Sequence, residues 1–344
     1  MWRIINFIHH FGIIALFSIF FVGVNILTFF LYWLDKRRAI KNRWRISEGT
    51  LIFFTLALGG MGALFGMYAL KHKTKKLKFK IGLGLGMIIA IIPIIHVVHS
   101  LTLDRIIRYV EIDFHSENWP VELDGYRIAF MTDFHTIADE EMAEVVAVLN
   151  EKELDLLVLG GDFSMGNQHY QGTIREIART HTTDGIFGVE GNHDFYTALF
   201  NAKVQYGIMP LDNNGMQIRE GFYLAGVHDL WNSHANIAEA IAGANSDDFI
   251  LLISHNPDVS MSQPTIEIDL ILSGHTHGGQ ITFFGYPIYL LRGSITDYGT
   301  RFAYGFNYSA DGTPVFTSRG VGPYYSWPRI FARPEVVIFT MYRE

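Results

Sequence analysis

Residues 125–135, GYRIAFMTDFH, decide the fold class. Gly125 to Thr132 reads as a buried strand that stops at Asp133-Phe134-His135, two polar groups spaced so that a tight loop can turn both toward one metal ion. Downstream, Met142, Val145, Val146 and Leu149 recur at helical spacing, and Leu154 to Leu159 (LDLLVL) is a second buried strand ending at Gly160-Gly161-Asp162. The pattern repeats three more times. Gly185 to Val189 precedes Gly191-Asn192-His193-Asp194, Phe249 to Ser254 precedes His255, and Ile268 to Ser273 precedes Gly274-His275-Thr276-His277. Strands alternating with helices specify an α/β domain. Because each polar cluster follows a strand, one sheet edge is expected to collect them, in the crevice that open α/β sheets leave at their carboxyl ends. Late strands at Pro314 to Ser318 and Val336 to Tyr342, with no helix between them, predict mixed sheets. The roughly 240 residues from 106 onward suffice for one domain with a sizeable core.

The front of the chain is different. Of 344 residues 49% are hydrophobic, too many for an ordinary soluble domain of this length, and the excess is concentrated before residue 100. Residues 11–34 (FGIIALFSIFFVGVNILTFFLYWL) carry no charge and are long enough to cross a bilayer, and apolar stretches follow near 50–70 and 81–99. The first is too long for a cleaved signal and lacks a small-residue cleavage site. The expected organisation is a helical membrane domain over 1–105 followed by an enzyme domain over 106–344.

Charge divides the same way. Residues 1–100 hold 13 Lys and Arg against Asp35 and Glu48, whereas residues 101–344 hold 14 against 32 Asp and Glu. An acidic domain is a poor nucleic-acid binder, because affinity for polyphosphate comes mainly from Lys and Arg, so a bound phosphate here needs a metal to offset repulsion. The absence of cysteine excludes disulfides and thiolate sites.

Two basic loops, Asp35 to Arg45 and Lys71 to Lys80, flank the middle apolar stretch, and the positive-inside rule places both in the cytoplasm. One full span between them contradicts that. A re-entrant hairpin over 50–70 resolves the conflict, with Gly59, Gly60, Gly62 and Gly66 as its flexible centre, and puts the second domain outside the cytoplasm. Three full spans are the alternative. His96 and His99, one helical turn apart, are read as helix-packing or interfacial groups in preference to a proton or metal site.

The polar clusters supply a mixed oxygen and nitrogen donor set. Carboxylates of Asp133 and Asp162, the Asn192 carbonyl and the imidazoles of His135, His255, His275 and His277 suit Mn, Fe, Zn, Co or Ni, with manganese favoured, and the lack of sulfur argues against copper or iron–sulfur sites. Two such ions about 3.5–4 Å apart clamp the attacking and departing oxygens of an in-line phosphoryl displacement.

The ordered series Asp-x-His, Gly-Asp, Gly-Asn-His-Asp, His, Gly-His-x-His resembles the calcineurin-like metallophosphoesterases, and LSGHTHGGQ is similar to their membrane-associated YkuE-like branch, over roughly 107–344. The resemblance implies a four-layer αββα sandwich and two divalent ions. Asp133, His135 and His277 would hold the first ion, Asn192, His255 and His275 the second, and Asp162 would bridge. His193 would stand near the scissile phosphate as the group serving the leaving oxygen, with Asp194 orienting it. The first motif departs from the family in having Phe134 between its ligands, a residue expected to pack into the core. Residues 20–95, including LYWLDKRRAIKNRWRISEGTLIFF and LGGMGALFGMYALKHKTKKLKF, resemble a small bacterial membrane domain of no known chemistry.

Taken singly, His255 reads as a core or surface histidine, and only its place in the series makes it a ligand. His228-Asp229 reads as a strand-end turn, the aromatics Tyr324, Tyr325, Trp327 and Phe331 as core, and Gly320 with Gly322 as a tight turn beside the site. The functional expectation is a membrane-anchored phosphoesterase acting on a phospholipid, a lipid-linked sugar nucleotide or a wall precursor. The resemblance raises hydrolysis of UDP-2,3-diacylglucosamine, whose cytoplasmic location conflicts with an outward-facing domain. A non-catalytic scaffold and a membrane sensor are the competing classes. All eight ligand and catalytic-histidine positions are intact, which argues against the scaffold, and few intramembrane charges line a transport path.

Overall fold

The computed structural model of the chain describes residues 2–135, 137–164, 170–194, 205–231, 234–287, 295–322 and 329–344. It forms two compact units, Met1–Leu101 and Thr102–Glu344.

The first unit is helical. Helix α1 spans Trp2–Ile40 and contains one segment long and apolar enough to cross a membrane, Ala15–Ile40; α4 spans Leu77–Leu101 within a second, Leu77–Arg105. Side chains such as Phe20, Ile26, Leu85 and Ile88 are exposed along them, an apolar surface that suits lipid and not water. Between these helices lie α2, Glu48–Leu56, and α3, Gly60–Tyr68. Nine helical residues reach about 13 Å, under half of a ~30 Å hydrocarbon core, so neither crosses alone.

Their hydrogen bonds show that the pair doubles back. At the start of α2 the Ile46 N–H donates to Asp35 (3.0 Å), at the far tip Asn25 donates to the Leu58 carbonyl (3.0 Å) and accepts from the Gly62 N–H (2.8 Å), and beyond α3 His72 returns to Asp35 (2.8 Å). The reversal falls at residues 57–59, with Leu58 at φ 68°. Gly62 and Gly66, expected to make the turn flexible, instead lie inside α3, where a side chain would strike the Asn25 backbone or the Tyr32 side chain; they permit close helix packing. Asp35 is fully buried and also takes Arg45 (2.9 Å) and Lys73 (3.5 Å), while Glu48 pairs with Lys73, Lys76 and Lys78. Both basic loops therefore sit at one end of this unit.

The second unit has two six-stranded sheets. The first, in order β1-β12-β2-β3-β4-β5, comprises Arg108–Ser116 (β1), Glu335–Arg343 (β12), Tyr126–Met131 (β2), Leu156–Leu159 (β3), Ile186–Gly188 (β4) and Ile208–Pro210 (β5). The second, in order β10-β11-β9-β8-β7-β6, comprises Gly305–Tyr308 (β10), Pro314–Thr317 (β11), Leu270–Ser273 (β9), Phe249–Ile253 (β8), Phe222–Gly226 (β7) and Asn214–Arg219 (β6). Strands β2 to β5 are parallel and β12 runs antiparallel to β2; β7, β8 and β9 are parallel and β6 and β10 antiparallel to their neighbours, so both sheets are mixed as expected.

Alternation along the strands builds the layers. Ile128, Phe130, Leu156 and Val158 face Phe222, Leu224, Leu251, Ile253 and Leu272 between the sheets. Their neighbours Ala129, Met131, Leu157 and Leu159 face outward onto α5 (Asp139–Asn150) and α6 (Tyr170–Ile177). On the other side Ala225, Ile250, Leu252 and Ile271 meet α7 (Ile237–Ala240) and α8 (Val259–Ser262). The result is the four-layer αββα sandwich, in which each sheet buries both faces. The expectation of a single collecting edge is corrected: β2, β3 and β4 of one sheet and β8 and β9 of the other all end at the site.

Candidate metal centre

Five of the seven ligand candidates leave the end of a strand in a strained turn. Asp133 (φ 56°), His135 (40°), Asp162 (57°), His275 (70°) and His277 (52°) all occupy the left-handed region, which L side chains avoid. Such backbones cost about 1–3 kcal/mol each and persist where function selects them. Glycines make room: a side chain at 274 would meet the Asp133 carboxylate, and one at 191 would meet Asp162. Gly320 (φ 74°) and Gly322 form a turn pressed against Asp133 and the Phe134 carbonyl, beside the site as expected. Phe134 itself is fully buried, stacked on Phe163 at 5.0 Å.

The seven candidate ligands meet. His277 Nε2 lies 2.9 Å from His135 Nε2 and 3.3 Å from Asp133, and His135 Nε2 is 3.4 Å from Asp162. His255 Nε2 lies 3.1 Å from the Asn192 side-chain oxygen, 3.2 Å from Asp162 and 3.2 Å from His275 Nδ1. Asp162 touches both groups.

The outer ring nitrogens decide the tautomers. His135 Nδ1 faces the Ser164 carbonyl (3.3 Å), His255 Nδ1 that of Gly160 (2.8 Å) and His275 Nε2 that of Ile295 (2.9 Å). A carbonyl only accepts, so each of these nitrogens carries a proton, leaving the inner nitrogens of His135 and His275 as bare lone pairs, the ligating form. Burial keeps both rings neutral, pushing His275 down to about 3 and His135 down to about 4. Burial also lowers His277, but its outer Nδ1 faces the Arg329 guanidinium (3.3 Å), so Nε2 bears its proton. For His255 burial acts downward and the Asp162 and Asp133 charges outweigh it, raising the ring to about 10, so Nε2 is protonated as well.

On this assignment each half of the cluster carries one ring N–H, on His277 Nε2 and on His255 Nε2. The one on His277 Nε2 points among His135 and Asp133; the one on His255 Nε2 points among Asp162, Asn192 and His275. Each stands within the donors expected of one ion. Asp133, pushed up to about 7 by burial first and by Asp162 as well, needs the same positive charge. The donor set therefore fits a pair of divalent cations.

The last cluster is placed beside them. The His193 ring lies 5.4 Å from that of His135; the His193 backbone N–H donates to Asp162 (2.9 Å), and Ser164 Oγ donates to the His193 backbone carbonyl (3.2 Å). Asp194, expected to orient the His193 ring, has another task. Its oxygens accept the N–H groups of Asp162 (2.8 Å), Phe163 (2.9 Å), Ser164 (3.2 Å) and Gly191 (2.9 Å), which ties the loops after β3 and β4 together. Burial and Asp162 push its carboxyl up, but four donors leave no acceptor for a carboxyl proton, so it is ionised.

A calcineurin-like phosphoesterase profile matches residues 126–279, and a profile described as a protein of unknown function (DUF1294) matches residues 25–79. The chain is 30% identical over 241 residues to the metallophosphoesterase YkuE of Bacillus subtilis, which spans 64% of this chain and 81% of that protein. It belongs to the calcineurin-like phosphoesterases. A transmembrane protein with metallophosphoesterase domain from Danio rerio is 26% identical over 253 residues (67% of this chain, 56% of that protein), and one from Bos taurus is 25% identical over 321 residues (83% and 69%). As a calcineurin-like phosphoesterase the chain is a hydrolase with a metal-dependent site, and its apolar helices associate it with a membrane.

Two further residues bear on this phosphoesterase site and were not singled out from sequence. Arg329 is buried and donates to the carbonyls of Arg319 (2.8 Å), Gly322 (2.6 Å) and Ala332 (3.0 Å) while facing His277, so it fastens the late loops to a ligand. Trp231 is half exposed with its ring 4.5 Å from that of His275; its backbone N–H donates to the Asp229 carboxylate (2.8 Å), so His228-Asp229 lies in a turn just after β7. An Arg in Trp327-Pro328-Arg329-Ile330-Phe331 and a Trp two residues past an Asp carry no metal spacing, which is why neither stood out. His96 Nδ1 pairs with the Ile92 carbonyl of its own helix (2.8 Å). Tyr324, Tyr325 and Trp327 lie outside the described residues.

Proposed function

We propose that this protein is a membrane-anchored two-metal phosphoesterase that cleaves a phosphate ester or pyrophosphate bond in a lipid-linked or membrane-surface substrate. The observation that carries the reading is the convergence of seven buried or half-buried ligand atoms into two adjacent groups that share Asp162. Asp133, His135 and His277 would hold one ion, Asn192, His255 and His275 the other, with Asp162 shared; manganese suits the mixed donors. Bound there, the ions would supply Lewis-acid charge and an activated water for in-line attack at phosphorus. The protein's own part is positional and acid–base. Asp194 holds the β3 and β4 loops in register, Asp162 fixes the His193 backbone, and the His193 imidazole donates a proton to the departing oxygen.

Leaving-group dependence tests the last role. With the Mn-loaded full chain in detergent, His193→Ala is expected to lower kcat by about 10²–10⁴-fold on an alkyl phosphodiester and by much less on a p-nitrophenyl diester, whose leaving oxygen needs no proton. Equal losses on both substrates would contradict the assignment.

The folded-back α2–α3 pair supports an outward-facing catalytic unit, since both basic loops share one end of the helical unit and positive charge stays in the cytoplasm. That placement favours a phospholipid, lipid-linked sugar or wall precursor over UDP-2,3-diacylglucosamine at the cytoplasmic face. A reporter fused after Glu344 that is active only in the cytoplasm would reverse the choice.

A further inference from the structure

Just past His277 the chain makes a tight turn with an unusual tip. Phe283 and Tyr286 exchange both backbone hydrogen bonds (2.9 and 3.0 Å), and the two residues between them, Phe284 (φ 50°) and Gly285 (φ 89°), both have positive φ, the pattern of a type I′ turn. Asn-Gly is the sequence such turns favour, and a bulky residue at the first position is strained. Here the strain presents aromatic surface to the outside: Phe283 is 48%, Phe284 49% and Tyr286 54% exposed. Exposed apolar patches on a folded domain mark contact sites.

The turn is anchored beside the metal cluster. Thr282 Oγ1 donates to the Ile330 carbonyl (2.9 Å) and accepts the Gly285 N–H (2.9 Å), and Pro287 packs on Gly279, two residues from His277. The Phe284 ring lies 5.3 Å from that of Phe331. The Phe331 N–H in turn donates to Asp104 (2.9 Å), and Asp104 belongs to the last turn of the apolar segment Leu77–Arg105. Leu103 and Ile106, on either side of it, are 44% and 54% exposed. Phe331 thus ties the aromatic patch to Asp104, near the start of the second unit.

We infer that the Phe283–Tyr286 turn, backed by Phe331, dips into the headgroup and acyl boundary of the bilayer, so that the phosphoesterase takes an amphiphilic phosphoryl substrate directly from the lipid surface. This rests on the phosphoesterase reading and on Leu77–Arg105 crossing the membrane. Aromatic and aliphatic side chains projecting from one rigid turn are the groups that partition into that boundary.

The chain has no cysteine, which makes a direct depth measurement clean. Phe283→Cys in the full chain is labelled with an environment-sensitive fluorophore and reconstituted in nanodiscs containing acyl-brominated phosphatidylcholine. The control is Ile266→Cys, 81% exposed before the start of β9, at the opposite strand end from the site. The label at 283 is expected to lose most of its emission to the bromolipid, and the control to keep its own. A label at 283 that is water-exposed, or shielded yet unquenched as by a protein partner, overturns the inference. A second variant keeps the turn: Phe283→Thr with Phe284→Asn restores the favoured Asn-Gly pair. The ratio of hydrolysis of a nanodisc-embedded phospholipid to that of a water-soluble diester is then expected to fall by about tenfold; an unchanged ratio contradicts the inference. If the label is quenched but no phosphodiester is turned over, the bilayer contact stands and the phosphoesterase reading falls.

Discussion

Asp162→Ala is expected to leave the purified full chain with at most one bound ion and to reduce phosphodiester turnover by about a thousandfold. Asp162 is buried, lies 3.4 Å from His135 and 3.2 Å from His255, and also holds the His193 N–H. It is the group common to both halves of the cluster. Removing one partner from a buried charged network costs about 3–5 kcal/mol, which corresponds to roughly 10²–10³-fold or somewhat more in a rate or binding constant. Without that carboxylate both expected ion sites lose the ligand they share. Elemental analysis after dialysis against Mn, alongside turnover of an aryl diester, checks this. Two retained ions and near-native turnover would show that Asp162 does not bridge.

Asp35→Ala is expected to have the largest effect in the helical unit. Its carboxylate is fully buried and joins Arg45, the Ile46 N–H, His72 and Lys73. Those contacts tie the entry of α2 and the exit of α3 to the end of α1. Truncation leaves cationic groups without their counter-charge, again about 3–5 kcal/mol. Hydrogen exchange in nanodiscs should accelerate by about a hundredfold or more across residues 46–58, because local opening follows the lost free energy. Unchanged protection there would mean that apolar packing alone, such as Leu51 and Phe79 around Tyr32, holds the folded-back pair.

Much of the catalytic half was legible because its chemistry is punctuated. The ligand clusters follow short runs of buried apolar residues, and those at Asp162, Asn192 and His275 come directly after a glycine, so strand ends and polar groups could be paired from the sequence. Strands with weaker signals escaped. β1 alternates half-buried and exposed residues with charges among them, and β6 is largely exposed, so neither gives a continuous apolar run. The division of the strands into two sheets was hidden for a different reason, since strand order depends on contacts between distant segments. Asp194 shows the limit most clearly. Its spacing suggests a partner for His193, and nothing in the sequence signals that its carboxylate also accepts the backbone amides of Asp162, Phe163, Ser164 and Gly191. The carbonyls of Gly160, Ser164 and Ile295 that set the histidine tautomers are likewise invisible in sequence, because any residue supplies a carbonyl. In the helical unit, the charge pattern foretold the shared basic end, but not that glycines at 62 and 66 serve helix contact.

The central claim is that the two converging ligand groups form a hydrolytic centre for phosphate esters. Steady-state hydrolysis of bis(p-nitrophenyl) phosphate by the full chain, loaded with manganese in detergent and compared with Asp162→Ala as blank, tests it most directly. Metal-dependent turnover that is abolished by a chelator and absent from the blank is the expected result. No turnover above the blank with manganese, iron, zinc, cobalt or nickel would contradict the account.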